Sequence, residues 1–349
     1  MNLIRSFFIY FFLLVFLVTC KGPTKPPDDR INPNIIKVAA AWNPEDPRNK
    51  YISEYRMADW RGNRLITFVP FLQIFTLGPD LKPVSDTLFI DDKFAKNWKY
   101  WEANSTGDRI LLVKSSYIDV SSGALYEYDL NTGEFILLRD STYNVSSAVY
   151  WHGDENKIVY YRYGNPIGKD AGYYIYYKNS QKDSLILEYI SPSGPGEMLN
   201  GFDLHPQNTD LLIPAVQATS LVGAPPILLK YNLINKKIDT LKVKFNYSFV
   251  RIGLWVRYNY DGSKILYCNY PDGIYEDTTN DDSEMGIIYL PSLRRKILDV
   301  NTYPKGTRRS IQQAPKWSPD GRHIVYGSGR LSNDGGRGTF SLYILKNVD

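Results

Sequence analysis

Apolar and polar positions alternate along this chain in short stretches, and the stretches recur. The clearest is KWSPDGRHIVYGSG, Lys316 to Gly329: an aromatic, a Ser-Pro-Asp-Gly turn, then His323-Ile324-Val325-Tyr326 in strand alternation. A single hairpin is marginal in water, so the pattern calls for copies. A polar or basic residue ahead of an apolar pair recurs at Arg64 (Leu65-Ile66), Arg109 (Ile110-Leu111), Lys157 (Ile158-Val159), Asp210 (Leu211-Leu212) and Lys264 (Ile265-Leu266), with His323 the sixth. Successive anchors lie 45 to 59 residues apart. Upstream stand Trp60, Trp101, Trp151, Leu204, Tyr258 and Trp317, and turn formers fill each interval. In the last interval Pro319 pre-sets φ, Asp320 can bond nearby backbone, and Gly321 accepts φ > 0. Asp261-Gly262 supplies the same chemistry one repeat earlier.

A third strand follows each anchor, at 72–77, 124–130, 172–178, 226–233, 285–291 and 340–346, and several run through a turn into a fourth, as in ALYEYDL-NTGE-FILLRD. No segment of length carries helical period. A repeat of this size made of four antiparallel strands predicts an all-β fold, a six-bladed β-propeller of four-stranded antiparallel blades spanning residues 35–349. A β-sandwich pair would not explain the periodic signature. The last repeat reaches Asp349 soon after its third strand, while Ile35–Ala40 forms an apolar strand ahead of the first. This N-terminal strand is expected to close the ring as the outer strand of the sixth blade.

Trp317-Ser318-Pro319-Asp320-Gly321-Arg322 resembles the repeat signature of TolB-type propellers, and Asp261-Gly262-Ser263-Lys264-Ile265 is a second match. The related WD-like blades of prolyl-oligopeptidase-family enzymes share it. The resemblance implies a propeller fold and, for the TolB type, protein–protein interaction. TolB-type proteins carry an additional N-terminal α/β domain, whereas only a short tether precedes the first strand here.

That tether follows a different kind of segment. Residues 1–19 read as a signal peptide, with Arg5 in a positive n-region and an apolar run from Phe7 to Val18. The run is shorter than the ~20 residues a transmembrane helix needs. It ends in Leu17-Val18-Thr19-Cys20, which resembles a bacterial lipobox, so Cys20 is the expected lipidation site. Residues 20–34, rich in Pro, Lys and Asp, should form a semi-extended tether. Lys21 after the cysteine makes an outer membrane, facing the periplasm, the default address, with surface display open.

Composition narrows the chemistry further. A net charge of +4, or +3 once Arg5 is removed with the leader, argues against nucleic acid as a partner. Cys20 and Cys268 are the only cysteines, so with Cys20 acylated neither a disulfide nor a thiolate metal site is expected, and Cys268 reads as a small buried residue. His152, His205 and His323 lie far apart, which gives no histidine metal site. Gly327-Ser328-Gly329 follows a blade strand rather than forming a nucleophile elbow, so no peptidase is read from it. The acidic run 276–284 has neither the spacing nor the central glycine of a calcium loop. Long connections at 164–172, 271–284 and 329–338 place Lys169, Asp281, Asp282, Arg330 and Arg337 as candidate binding residues, and 217–226 is apolar. The expectation is a monomeric cell-envelope lipoprotein without catalytic residues, metal or cofactor, whose propeller binds a protein or peptide. The rival is an enzyme or small-ligand binder, for a sugar or a metal-dependent substrate, using the central channel.

Overall fold

The computed structural model describes residues 32–39, 58–69, 71–89, 98–115, 123–163, 170–188, 201–216, 226–243, 255–269, 284–300, 310–330 and 339–348. Cys20 and the rest of the leader lie outside these residues. No helix among those described is long and apolar enough to cross a membrane.

After β1 (Ile35–Ala39), the first unit comprises β2 (Ala58–Arg61), β3 (Arg64–Val69), β4 (Phe71–Leu77) and β5 (Pro83–Phe89). There follow β6 (Trp98–Ala103), β7 (Arg109–Ser115), β8 (Gly123–Asp129) and β9 (Glu134–Arg139), then β10 (Val145–Tyr150), β11 (Lys157–Arg162), β12 (Gly172–Tyr177) and β13 (Lys182–Glu188). The next unit is β14 (Asp203–Leu204), β15 (Asp210–Val216), β16 (Pro226–Asn232) and β17 (Ile238–Leu241). After it come β18 (Trp255–Tyr258), β19 (Lys264–Asn269), β20 (Glu284–Tyr289) and β21 (Arg294–Ile297). The last strands are β22 (Ser310–Trp317), β23 (Ile324–Arg330) and β24 (Thr339–Leu345).

Each unit is an antiparallel meander, and β1 adds to the outer edge of β24 with Ile35 opposite Leu345 and Ile36 opposite Ile344. The N-terminal strand therefore completes the last sheet, as its apolar pattern predicts. Four sheets have four strands and one has eight. In the eight-stranded sheet β6–β9 and β10–β13 are joined by one residue pair, Val145 with Gly123. The reason is local: β9 pairs with β8 only as far as Leu125, leaving Gly123 open to the incoming β10.

The apolar pairs explain how the units stack. Neighbouring residues on a strand point to opposite faces, so a strand apolar at both positions must be covered on both. All twelve anchor-pair side chains, from Leu65-Ile66 to Ile324-Val325, are 0% exposed. Leu65 lies in a cluster with Val325 and Ile344, while Ile66 shares one with Ile110. Leu111 then packs with Ile158, Val159 with Leu211, Leu212 with Ile265, and Leu266 with Ile324. Val325 returns to the cluster of Leu65. Each second strand is thus sandwiched between two interfaces, and the succession closes on itself. Burying one such side chain contributes about 1.5–3 kcal/mol, so these pairs are a main source of cohesion between units.

The turns repeat as well. Gly62, Gly107, Gly153, Asn208, Gly262 and Gly321 all take positive φ between the first and second strands of their units. Gly321, at φ +70, has open space around a would-be Cβ, so its constraint is purely conformational. Gly262 is also pressed against a neighbour: a Cβ there would lie 2.1 Å from His205 Nε2 of the preceding unit.

One feature of the sequence pattern needs correction. The residues opposite the anchor apolar positions are Trp60, Ala103, Tyr150, Leu204, Tyr258 and Trp317. Trp101 and Trp151 are not equivalent to the other aromatics. A bulge between Tyr100 and Glu102 displaces Trp101 from the register, and Trp151 falls one residue past the end of β10.

Candidate functional site

The inner strands bring polar residues to the axis of the ring. Immediately before each register residue stand Asp59, Glu102, Val149, Asp203, Arg257 and Lys316, all buried. Five of these six carry charge, and their carboxylates latch one unit to the next. Asp59 accepts the Ala103 N–H at 2.6 Å, Glu102 accepts that of Tyr150 at 2.9 Å, and Asp203 that of Tyr258 at 2.7 Å. An inner strand has no partner on its axial side, so its buried N–H groups need such acceptors. Charge-assisted bonds of this kind are among the stronger ones.

The cations complete the set. Lys316 Nζ lies 2.8 Å from Asp59 and 3.9 Å from Glu102, joining the last unit to the first two. Burial pushes the Lys316 ammonium below its usual value. Arg257 reaches Asp203 at 3.8 Å and donates to the Phe202 carbonyl at 2.9 Å. Arg61 donates to the carbonyls of Ala103 and Asn104, both at 2.7 Å, with Asp59 at 4.0 Å and Glu102 at 3.9 Å. Where Val149 supplies no acceptor, the turns take over. Asn208 donates to the His152 carbonyl at 2.8 Å and accepts the His152 N–H at 3.1 Å, while His152 Nε2 meets the Leu204 carbonyl at 3.1 Å.

Above this charged layer, on the face carrying the first turn of each unit, opens a cavity of about 510 Å³. Arg61, Glu102, Ser105, Tyr150, Trp151, His152, Glu155, Tyr260 and Pro319 contribute to its lining. A smaller space of about 60 Å³ lies among Asp59, Asp203, Arg257 and Lys316. Tyr260 lines both and spans the axis: its hydroxyl accepts from Arg61 Nη1 at 3.2 Å, two units away around the ring. Glu155 is held on the preceding unit by Asn104 Nδ2 at 3.0 Å, Ser105 Oγ at 2.8 Å and the Ser105 N–H at 3.3 Å. Burial works to raise its carboxyl, but these hydrogen bonds prevail and hold it below the usual value. The Tyr150 hydroxyl is buried and has no hydrogen-bond partner among the described residues.

The turn residues read from the repeat behave as structural parts. Trp317 is buried and its indole donates to the Arg257 carbonyl at 3.4 Å. Asp320 accepts from Ser318 Oγ and the Arg322 N–H, and Asp261 accepts from the Ser263 N–H at 2.7 Å. Pro319 alone of them also borders the cavity. Lys169, Asp281, Asp282 and Arg337 lie outside the described residues. Arg330 ends β23, and its side chain lies outside them too. The acidic run is not one loop, because its last member, Glu284, begins β20. Glu284 is buried, accepting from Tyr267 at 2.6 Å and Arg295 at 3.0 Å, so it is committed to the interior. Cys268 is buried in β19, where its strand context places it. Among the described residues no His, Cys, Asp and Glu side chains group as metal ligands.

The axial charges escaped the sequence reading, which followed the aromatics and not the residue before them. Aligning the repeats on the anchors would have exposed four of them, since Glu102, Asp203, Arg257 and Lys316 each stand seven residues before their anchor, while a shorter turn displaces Asp59.

Antiparallel four-stranded units stacked face to face around an axis, with inner strands presenting side chains to it, define a β-propeller. Among solved structures this chain is similar to TolB from Acinetobacter baumannii, at a TM-score of 0.51 and 15% identity over 84% of this chain and 64% of that one. This chain therefore spans less than two thirds of that protein. A TolB-type protein from Agrobacterium tumefaciens aligns at a TM-score of 0.53 and 12% identity, over 84% of this chain and 90% of that one. An oligogalacturonate lyase in complex with manganese aligns at 0.49 and 14% identity, over 83% and 76%. The fold is thus TolB-type. No known family profile matches the chain. No curated protein matches it in sequence.

Proposed function

We propose that this chain is a cell-envelope lipoprotein, anchored through Cys20, whose six-bladed propeller is a non-catalytic platform for a protein or peptide partner. The six-blade count is supported by the closed succession of apolar clusters, with the eight-stranded sheet taken as two blades touching at Val145 and Gly123. The observation that carries the binding role is the axial cavity above a self-compensated charged layer. Asp59, Glu102 and Asp203 are matched by Arg61, Arg257 and Lys316, and these groups hold units together. A general base or nucleophile needs a group left available to the substrate, and these are spent on packing. The cavity above them, with tryptophan, tyrosine and proline in its wall, suits an inserted side chain.

The rival, a small-ligand binder or enzyme in the channel, draws on the same cavity, whose volume falls in the range of small-molecule sites, about 300–1,000 Å³. One experiment separates the two. The tagged full chain is used to capture partners from detergent-solubilised membranes, beside a Ser105→Trp variant that fills part of the cavity. A stoichiometric protein held by the wild type and lost with the variant supports the platform. No such protein, together with a strong melting-temperature shift from a sugar or metal that the variant abolishes, reverses the order.

A further inference from the structure

The cavity is chemically one-sided. Its cation, Arg61, is saturated by three backbone carbonyls and lies beside Asp59 and Glu102. Glu155, at the rim, has no cation paired with it among the described residues. The nearest basic side chain in sequence, Lys157, is taken by Asp154 at 2.9 Å and lies over the Trp151 ring at 5.6 Å. The other polar groups accept more readily than they donate. His152 Nε2 faces a carbonyl, so in the neutral ring it carries the proton and leaves Nδ1 an acceptor. The Tyr150 hydroxyl sits without a hydrogen-bond partner among the described residues, near Glu155 and Glu102 and near a Glu127 that Lys178 and Arg109 already pair. The aromatic side chains of Trp151 and Tyr260 complete the wall. A fixed carboxylate, acceptor atoms and aromatic faces together favour an ammonium or guanidinium group.

We infer that the cavity receives a basic side chain, lysine or arginine, carried by a partner polypeptide, with Glu155 as its counter-ion and the side of the Trp151 ring not taken by Lys157 as its stacking face. This rests on the platform reading above and specifies which side chain inserts.

The test uses the full chain with three synthetic pentapeptides, Gly-Arg-Gly-Arg-Gly, Gly-Glu-Gly-Glu-Gly and Gly-Leu-Gly-Leu-Gly, titrated while tryptophan fluorescence and calorimetric heat are followed. The arginine peptide is expected to bind, and to weaken as salt rises. Glu155→Gln removes the charge and keeps one oxygen, enough for the Ser105 donors on Oε1 but not also for Asn104 on Oε2, and weakens that peptide about tenfold or more. Trp151→Leu, which alters no charge, weakens it too and guards against a folding defect in the first variant. Asp239→Asn, on the exposed outer strand β17, leaves affinity unchanged. Equal binding of the acidic or leucine peptide, or an arginine affinity that neither cavity variant alters, overturns the inference. If membrane capture still yields a partner whose binding requires the cavity, the platform stands and only the cation is wrong. If neither peptide nor protein binds, both fall.

Discussion

Replacing Asp59 by alanine tests whether the axial charges are structural. Asp59 is 0% exposed, accepts the Ala103 N–H and pairs with Lys316. Removing the carboxylate leaves Lys316, itself buried, with Glu102 at 3.9 Å as the nearest remaining carboxylate and deprives Ala103 of its acceptor. Breaking a buried ion pair from one side costs about 3–5 kcal/mol. An orphaned buried N–H costs about 1–3 kcal/mol. The two overlap, so a total of about 4 kcal/mol is expected, a large share of a typical domain's stability of about 5–15 kcal/mol. Adding Lys316→Met removes the stranded charge and should return about 2 kcal/mol, leaving mainly the unsatisfied amide. Urea unfolding followed by circular dichroism measures both, with the denaturant slope unchanged if only stability has moved. A loss below about 1 kcal/mol, the size of an ordinary point mutation, would refute the latch argument. So would a double variant no more stable than Asp59→Ala alone.

Other outcomes follow from the same geometry. Asn208 takes φ +55 and exchanges two hydrogen bonds with His152, so Asn208→Ala should cost about 1–3 kcal/mol more than wild type, and Asn208→Gly less, because glycine keeps the backbone relaxed; equal losses would rule out backbone conformation as a contributor. Hydrogen bonding by Ser263 holds Asp261 below 3.8, and Thr106 does the same for Asp108. The unfolded chain then binds more protons in acid, so this stability is present above pH 3.8 and lost as pH falls through the depressed values. The pair Asp261→Asn and Asp108→Asn should flatten the acid limb of a melting-temperature profile. Burial pushes the hydroxyls of Tyr258 and Tyr267 far above 10.0, so the folded chain keeps protons that the unfolded chain loses. Stability should therefore decline as pH rises past 10.0, with part of the tyrosinate absorbance appearing only on unfolding; a complete titration in the folded protein would contradict it.

Legibility in the sequence followed the range of the physics involved. Turn chemistry is local, so Asp261-Gly262 and Asp320-Gly321 announced their hairpins, and Gly262 and Gly321 take the positive φ they were read for. The anchor pairs were visible because a strand covered on both faces is apolar at adjacent positions, as Leu65-Ile66 and Ile324-Val325 are. The aromatic column was read less well. Trp101 sits in a bulge, and a bulge shifts register by one residue without any local mark as plain as glycine. His152 was weighed only as a metal ligand, yet it joins two units through Asn208 and Leu204. A central channel was expected, but its lining was not, since Arg61, Glu155 and Tyr260 are distant in sequence and meet only when the ring forms.

The order of strands, the all-β class and the repeat were therefore fixed by residues acting over one hairpin, while the N-terminal strand was placed by the strand the last unit lacks and pairs at long range with β24. The tertiary structure alone decided which charges face the axis, which of them neutralise each other, and where Glu155, without a paired cation among the described residues, stands beside aromatic side chains. Strand period and turn conformation are set within a few residues. Electrostatic pairing across a ring depends on distances of a few ångströms between segments as far apart as Asp59 and Lys316, and closure of the ring sets those distances.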